Sequence, residues 1–399
     1  MSSNNRKKIW VLTDLFFPEE TSTSFILTKL VNVFSEKHDV NVICGSQIYD
    51  IGHNKQTNFT LKDTINVIRI PGFRGNKNSI IFRIYRYYFL TRKICKVLKK
   101  RVNNTDTVFC VTNPVFLITN VSKMKKKLNF TFWILVHDLF PENTIPTGLL
   151  NSNSIIYTML KHRFDNAYCS ADRLISIGSD MKEVLEKKIG TSKNNQCIET
   201  ITNWAEIDII RPREKKENLD KVVILFAGNL GRVQGLSKLM DLIIQIDNQS
   251  LLFVFQGTGA SSGIIKDAIS KYNLKNVEVK PGFSRNSQSE ILSNCDIGLV
   301  SLDDSMYGLG VPSKAYNIMA AGKPILFFGH EKSEISIMIK ENNIGYSFSL
   351  YDSENILAFF NTLSIASNNL LSEMGHRARK LAEDKYSEKF VLSKYRELL

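Results

Sequence analysis

The chain has 399 residues, 43% of them apolar and 23% charged, which excludes a disordered or fibrous protein and favours two globular domains. No window holds eighteen apolar residues and the N-terminus lacks a secretory signal pattern, so we expect a cytoplasmic protein without a membrane-spanning helix. The net charge is +13, and all of the excess lies in residues 1–200, because residues 201–399 contain equal numbers of acidic and basic residues. That half is therefore expected to face an anionic partner, either a membrane surface or nucleic acid.

In the first half of the chain, apolar runs alternate with amphipathic segments. The predicted strands span residues 9–12, 40–44, 66–70, 107–111 and 130–136, and the predicted helices span residues 22–36, 80–101 and 115–128. Alternation of this kind predicts a parallel sheet that is covered by helices on both faces.

A second alternation follows an interdomain segment at residues 204–221. The predicted strands span residues 222–227, 251–256, 277–280, 297–301 and 324–328, and the predicted helices span residues 236–246, 264–272 and 288–293, with one short helix at Lys314. The fold class is therefore α/β, with two doubly wound parallel sheets. A ligand is expected in a cleft at the carboxyl ends of the strands.

Residues 311–326, with the sequence VPSKAYNIMAAGKPIL, predict a short helix that is followed by a buried strand. Ser313 is a good N-cap, and Gly322 with Pro324 is a good helix end. Lys314 then lies in the first turn, where the helix dipole disfavours a cation by about 0.3 kcal/mol or more. An anion in the site would explain this lysine, because free N–H groups at a helix start bind phosphate. A short capped helix without a ligand is the alternative interpretation.

Two further loops at strand ends have the composition of phosphate-binding elements. The loop at residues 227–236 has three glycines, which let the backbone approach an anion, together with Arg232. The loop at residues 256–263 has three more glycines, Gly257 among them. Each loop alone is also consistent with an ordinary strand-to-helix turn. Together with Lys314 they favour a nucleotide or diphosphate site at one edge of the second sheet.

Polar residues also lie at strand ends in the first half. His137 and Asp138 directly follow the strand at residues 130–136, and Glu142 comes four residues later. A lone histidine in this position is commonly structural, but the neighbouring carboxylates favour a polar site that faces the cleft. The loop after the first strand is expected at the same edge. It carries the acidic and hydroxyl residues Glu19, Glu20, Thr21 and Ser22.

Residues 83–101 are basic, aromatic and amphipathic, as is typical of helices that lie on anionic membranes. Further cations that add to this patch are Lys123, Lys125, Lys126 and Lys127. A helix that packs by its apolar stripe and presents a solvated lysine face is the alternative. The six histidines show no spacing typical of metal ligands, so we predict no metal site.

Five segments together resemble the family 4 retaining glycosyltransferases, which have the GT-B fold. The matching segments are residues 17–19, 137–142, 201–204 with 210–212, 226–231 with 234–236, and 311–326. In that order they correspond to the family's first-strand loop, acceptor-domain motif, interdomain segment, glycine loop and donor-diphosphate motif. The most similar subgroup is the sugar transferases of bacterial O-antigen and capsule assembly, and the resemblance covers nearly the whole chain.

The resemblance implies two Rossmann-like domains that face a cleft: an acceptor domain at residues 1–205 and a donor domain at residues 206–385. A C-terminal helix within residues 386–399 would cross back to the first domain. The implied activity is transfer, with retention, of a sugar from a nucleoside diphosphate to a polyprenyl-diphosphate-linked glycan. We expect a UDP-linked N-acetylated or deoxy amino sugar, no cofactor, no metal and no nucleic-acid partner. The basic first half would contact the anionic inner face of the cell membrane.

The resemblance also implies roles for individual residues. The expected catalytic residues are His137, Asp138 and Lys314. The expected donor-binding residues are Gly228, Asn229, Arg232, Gln234, Gly257, Gly282, Phe283, Pro312, Ser313, Lys314 and Asn317. The expected acceptor-binding residues are Glu19, Thr21, Ser22 and Glu142. The chain departs from the family where two carboxylates are usual, because Leu309 and Asn317 occupy those positions.

Two other functions fit parts of the sequence. A nucleotide-sugar 2-epimerase has a similar two-domain fold and would convert the donor without an acceptor. A membrane-binding or nucleic-acid-binding protein would use the basic first half, although no helix-turn-helix, RNA-recognition or zinc pattern is found there.

Overall fold

A computed structural model describes residues 6–19, 21–46, 59–72, 80–190, 197–214 and 220–399. Glu20, one of the acidic residues of the predicted acceptor loop, lies outside these ranges. None of the helices within them combines the length and the apolar composition that are needed to cross a bilayer.

The first domain is built on a seven-stranded parallel sheet with the strand order β3-β2-β1-β4-β5-β6-β7. The strands are β1 (Lys8–Leu12), β2 (Asp39–Gly45), β3 (Asn66–Ile70), β4 (Thr107–Val111), β5 (Thr131–Val136), β6 (Arg173–Ser176) and β7 (Cys197–Thr200). The central strands are apolar and buried along most of their length because helices cover both faces. The order reverses between β1 and β4, the switch point at which doubly wound sheets bind ligands.

In the described parts of the connections between these strands there are five helices: α1 (Ser22–Phe34), α2 (Ile80–Lys99), α3 (Leu117–Leu128), α4 (Ile155–Ser170) and α5 (Ser179–Ile189). Helices α2, α3, α4 and α5 pack side by side as one layer. Because each helix follows a parallel strand and runs back along the sheet, the helices of this layer begin at the carboxyl edge of the strands.

The second domain has a six-stranded parallel sheet with the order β10-β9-β8-β11-β12-β13. Its strands are β8 (Val222–Ala227), β9 (Leu251–Gln256), β10 (Val277–Lys280), β11 (Ile297–Ser301), β12 (Ile325–Phe328) and β13 (Gly345–Phe348). The helices that follow are α6 (Leu236–Ile243), α7 (Ser262–Tyr272), α8 (Gln288–Ser293), α9 (Lys314–Ala320), α10 (Glu334–Asn342), α11 (Ser353–Thr362), α12 (Asn368–Lys385) and α13 (Glu388–Glu397). The predicted strands and helices of both halves are confirmed, with ends that shift by a few residues. The predicted boundary at residue 205 falls between β7 and β8.

One predicted detail of α9 is wrong. Ser313 precedes this helix, but its hydroxyl makes no capping hydrogen bond. Its backbone is already helical, with φ −60° and ψ −20°, whereas a capping serine needs an extended backbone. The predicted helix end is confirmed, because Gly322 adopts a φ of +68°, which glycine accepts without strain.

The last helix, α13, packs on α1 of the first domain rather than on the second domain's sheet. Its Val391, Leu392 and Tyr395 are buried in the core of the first domain. The chain returns alongside the interdomain segment, where the Ala205 N–H donates to the carbonyl of Tyr386 at 2.7 Å. Two covalent connections therefore run between the domains next to each other.

Replacing Tyr395 with alanine should lower the free energy of unfolding of the first domain by about 3 kcal/mol, because a buried aromatic ring is removed. Urea unfolding followed by tryptophan fluorescence measures this loss, since Trp10, Trp133 and Trp204 lie in or beside that domain. Phe390→Ala, at an exposed ring of the same helix, should cost less than about 1 kcal/mol. Equal losses in both variants would contradict the packing of α13 on the first domain.

Candidate functional site

A cavity of about 390 Å³ lies between the two domains, at the carboxyl edges of both sheets. It receives side chains from both domains and from the interdomain segment. The predicted site residues that line it are Ser22, His137, Asp138, Gly228, Asn229, Gln234, Phe283, Pro312, Ser313, Lys314 and Asn317. The structure therefore brings most of the predicted catalytic and donor-binding residues together.

Lys314 places a buried ammonium group at this cavity. Among the described residues its Nζ has no hydrogen-bond partner, and it lies 3.5 Å from the centroid of the Phe226 ring. Burial lowers the pKa of Lys314 from 10.5 to about 7. An unpaired buried cation is costly, and the ring face compensates only part of that cost. An anion that entered the cavity would supply the missing partner.

The loop in front of this ammonium depends on two glycines. Gly228 has a φ of +124°, and a Cβ built on it would lie 3.8 Å from the Lys314 Nζ, so its missing side chain leaves this approach open. Gly257, with a φ of +155°, lies behind Gly228, where a Cβ would come within 1.8 Å of the Gly228 carbonyl oxygen. Gly257 therefore supports the glycine loop and does not itself line the cavity.

Two other predicted donor-binding residues also lie outside the cavity lining. Arg232 is exposed on a single turn of 3-10 helix, Arg232–Gln234, beyond the glycine loop. Gly282 is exposed, and a Cβ on it would lie 3.2 Å from the side chain of Thr258. The next residue, Phe283, does line the cavity.

His137 and Asp138 form part of the cavity wall on the side of the first domain. Their backbone N–H groups donate to the Thr112 hydroxyl at 3.3 and 3.2 Å, which holds the turn after β5. The imidazole Nε2 of His137 is buried without a hydrogen-bond partner in the described part of the chain, and burial lowers its pKa to about 4. The imidazole is therefore neutral near pH 7. Although Asp138 keeps solvent contact through the cavity, desolvation by the surrounding protein raises its pKa to about 6.

The floor of the cavity joins the two domains directly. Asp138 forms an antiparallel bridge with Gly310, and the Leu139 N–H donates to the Leu309 carbonyl at 3.0 Å. These backbone contacts set the distance between the end of β5 and the start of α9, and so between Asp138 and Lys314.

The predicted acceptor-binding residues are dispersed. Ser22 lines the cavity, whereas the Thr21 hydroxyl caps α1 by accepting from the Ser24 N–H at 3.2 Å. Glu19 is buried and does not line the cavity. Glu142 also lies outside the lining, where it forms an ion pair with Lys188 at 2.5 Å. An acceptor role for Glu19, Thr21 and Glu142 stays a prediction.

Glu206 and Arg285 line the cavity but were missed from the sequence. The Glu206 carboxylate accepts from the Arg285 guanidinium at 2.7 and 3.0 Å and from the Asn317 side-chain amide at 3.1 Å. A carboxylate is therefore present beside Asn317 although residue 317 is not itself acidic. The guanidinium carbon of Arg285 also lies 3.8 Å from the centroid of the Phe25 ring on α1, so this cluster connects both domains. Little in the sequence indicates this cluster, apart from the position of Glu206 shortly after Trp204 in the interdomain motif.

In the parts of the chain that the structure describes, no three His, Cys, Asp or Glu residues are grouped so that they could hold a metal ion.

Comparison with known proteins identifies relatives that match most of the chain. The family described as glycosyl transferases group 1 matches residues 208–381. The probable glycosyltransferase WbjE of Pseudomonas aeruginosa is 34% identical over 334 residues, which are 81% of this chain and 81% of that protein.

Two solved structures share the fold at low sequence identity. HepE of Anabaena, solved with UDP, is 11% identical with a TM-score of 0.68, over 98% of this chain and 99% of that one. WaaG, a glycosyltransferase involved in lipopolysaccharide biosynthesis, is 14% identical with a TM-score of 0.67, over the same shares. The two-domain arrangement is the GT-B fold, as the sequence motifs predicted.

Replacing Lys314 with methionine should stabilise the ligand-free protein at pH 6.5 by roughly 2 kcal/mol, because the apolar stem is kept and a buried charge is removed. Burial lowers the pKa of Lys314 from 10.5 to about 7, so the folded wild type binds fewer protons than the unfolded chain between these values. Wild-type stability should therefore rise with pH across this window, and the variant should lack that slope. Thermal unfolding between pH 6.5 and 9.5 measures both effects.

Lys266→Met is the matched control, because Lys266 is exposed in the same domain. It should follow the wild-type dependence on pH. Parallel curves for all three proteins would contradict the lowered pKa of Lys314 in the folded state.

Proposed function

Because the chain belongs to the group 1 glycosyltransferases, we propose that it transfers a sugar from a nucleoside diphosphate to a lipid-linked glycan. The observation that carries this proposal is the ammonium of Lys314. It is buried, has no hydrogen-bond partner among the described residues, and faces Gly228 in a cavity between the domains. A diphosphate is the anion that this arrangement fits, because backbone N–H groups and one lysine can contact its two phosphates.

On this proposal the donor lies against the second domain. Lys314, Ser313 and the backbone at Gly228 bind the diphosphate, and the base lies towards Phe283. The positive charge of Lys314 stabilises the leaving diphosphate where negative charge develops in the transition state. A UDP-linked donor is supported by the Anabaena structure of the same fold, which was solved with UDP.

The transfer is proposed to proceed with retention. The bond between the anomeric carbon and the diphosphate oxygen breaks while the acceptor oxygen bonds to the same face of that carbon. The acceptor proton passes to the departing phosphate oxygen, so no protein base is required. Neutral His137 and the carboxyl of Asp138, in the opposite domain, hydrogen-bond to the transferring sugar and orient it.

The acceptor is proposed to be a polyprenyl-diphosphate-linked glycan of polysaccharide or lipopolysaccharide biosynthesis, and the donor sugar an N-acetylated or deoxy amino sugar. The lipopolysaccharide role named for WaaG supports that setting. The excess positive charge of residues 1–200 supports peripheral contact with an anionic membrane on its inner face. Neither a metal nor a cofactor is part of the proposed reaction.

Calorimetric titration with UDP, GDP, ADP, dTDP and CMP should show selective binding of UDP. Lys314→Ala should weaken that binding by about tenfold or more, because one charge-assisted contact is lost. Above pH 7, wild-type binding should also take up a proton, since an anion restores the charge of Lys314. Titrations in two buffers with different ionisation enthalpies measure the uptake, which Lys314→Arg should abolish. Failure of all five nucleotides to bind would contradict a donor site.

Lys314→Ala should lower turnover by about tenfold or more in a transfer assay with radiolabelled UDP-sugars and a polyprenyl-diphosphate-linked acceptor. Lys266→Ala should leave turnover unchanged, because Lys266 is exposed and lies outside the cavity lining. Omitting the acceptor separates the alternatives: a transferase leaves the UDP-sugar intact, whereas a 2-epimerase converts it. Full activity of a folded Lys314→Ala protein would refute the diphosphate contact.

A further inference from the structure

We propose that the cleft-side ends of α2 and α4 insert apolar side chains into an anionic bilayer, so that the mouth of the cavity faces the membrane. This inference rests on the proposed function only in taking the acceptor to be lipid-linked. It assigns the contact to one end of the helix layer, whereas the sequence pattern pointed to the whole of residues 83–101 together with the lysines at positions 123 and 125–127.

The apolar surface is concentrated at the start of α4. Ile155 is 87% exposed and Ile156 is 56% exposed, and Met159, one turn later, is 46% exposed. The loop that leads into this helix exposes Ile145 and Leu149. Isolated exposed apolar residues are common on soluble proteins, but a contiguous group of large ones indicates an interaction surface.

The start of α2 extends this surface at the same edge of the sheet. Ile84, Tyr85 and Tyr88 are exposed in the first half of this helix; Arg83 precedes them, and Arg92 follows Tyr88 one turn later. Tyrosine and arginine beside aliphatic side chains are typical of segments that lie at the interface between lipid and water. Because α2, α3 and α4 pack as one layer and all begin at the carboxyl edge, both apolar groups lie on the side of the cavity.

The charge around this surface fits an anionic partner. Helices α2 and α3 contain ten lysines and arginines and no acidic residue. On α4, Arg163 is exposed and follows Ile155 and Met159 at helical spacing, so a cation continues the apolar stripe. Asp165, an acidic residue of the same helix, is paired with Lys188. A bilayer that contains anionic lipid is attracted to such a layer over a distance of about 8 Å at physiological salt.

The same charge argues against a second copy of the chain as the occupant. Pairing two copies of this surface would bring the cations of one copy, Arg83, Arg92 and Arg163 among them, close to the cations of the other, and like charges in contact are destabilising. Anionic lipid headgroups neutralise these side chains instead, and the hydrocarbon beneath them accepts the isoleucines.

Membrane contact at one end of the helix layer would use different residues from contact at the other end. Lys99, Lys100 and Arg101 lie at the end of α2, and the lysines of α3 lie in its last turns, at the edge away from the cavity. Exposed large apolar side chains occur at the cavity edge of α2 and α4. If the cavity edge inserts, an acceptor lipid can present its diphosphate to the cavity without leaving the bilayer.

The test is sedimentation of the full chain with vesicles of phosphatidylglycerol and phosphatidylcholine. The double variant Ile155→Ser with Ile156→Ser should bind at least about tenfold more weakly than wild type, because two inserted side chains are lost. The matched control is Ile264→Ser with Ile365→Ser in the second domain, where the two isoleucines are 41% and 42% exposed. This control should bind like wild type.

A second measurement does not depend on losing binding. Trp emission of Ile155→Trp, corrected for the native tryptophans, should shift to shorter wavelength when vesicles are added, and Ile264→Trp should show no shift. Wild-type affinity of the Ile155 and Ile156 double variant, or no shift for Ile155→Trp, would overturn the proposal. Loss of binding only after Lys99, Lys100 and Arg101 are all changed to Glu would overturn it in favour of the opposite edge.

Sedimentation without lipid tests whether a second copy of the chain covers this surface instead of a bilayer. A wild-type dimer that the two serine substitutions convert to a monomer would overturn the proposal in favour of self-association. UDP titration of the same proteins separates membrane insertion from the donor site: vesicle binding does not require the donor site, so UDP binding that persists without vesicle binding refutes membrane insertion alone. Insertion without UDP binding refutes the donor site alone.

Discussion

The buried ammonium of Lys314 is the interaction on which the site depends. It lies against the ring of Phe226 without a hydrogen bond from the described residues, and burial lowers its pKa to about 7, so the free protein disfavours the charged form of this side chain. The glycine loops fit the same constraint, because Gly257 leaves room for the backbone of Gly228 and Gly228 leaves room before the ammonium. Stability is thus given up at the position where the proposed anion would restore it, a common pattern at functional sites.

Much of the fold and part of the site could be predicted because both depend on short-range patterns. Residues 222–227 are one uninterrupted apolar run, which is typical of a strand that is buried on both faces of a parallel sheet. Gly228 and His137 directly follow strands of this kind. Parallel strands bring their carboxyl ends to one edge, so the two residues could be placed at the cleft before any contact was known.

The rest depends on partners that are distant in the sequence. Glu142 has the spacing of a cleft residue, but Lys188, 46 residues later, holds it in an ion pair elsewhere. Glu206 has no motif of its own and reaches the cavity through Arg285, 79 residues later, and through Asn317. Ser313 fits the composition of a cap, yet its helical backbone directs the hydroxyl away from that role. Composition predicts which residues are suitable, whereas tertiary contacts decide which are used.

The chain passes between the two domains twice, at adjacent positions, and this limits how the domains can move. The segment that leaves the first domain at Ala205 and the segment that returns to it at Tyr386 are hydrogen-bonded to each other. The two connections between the domains therefore lie side by side. Two bodies joined at two adjacent points can rotate about the line through them, but they cannot slide apart or twist freely. Rotation about that line is therefore the motion that the two connections oppose least. Such a rotation would separate Arg285 from Phe25 and Leu139 from Leu309, because both contacts cross from one domain to the other.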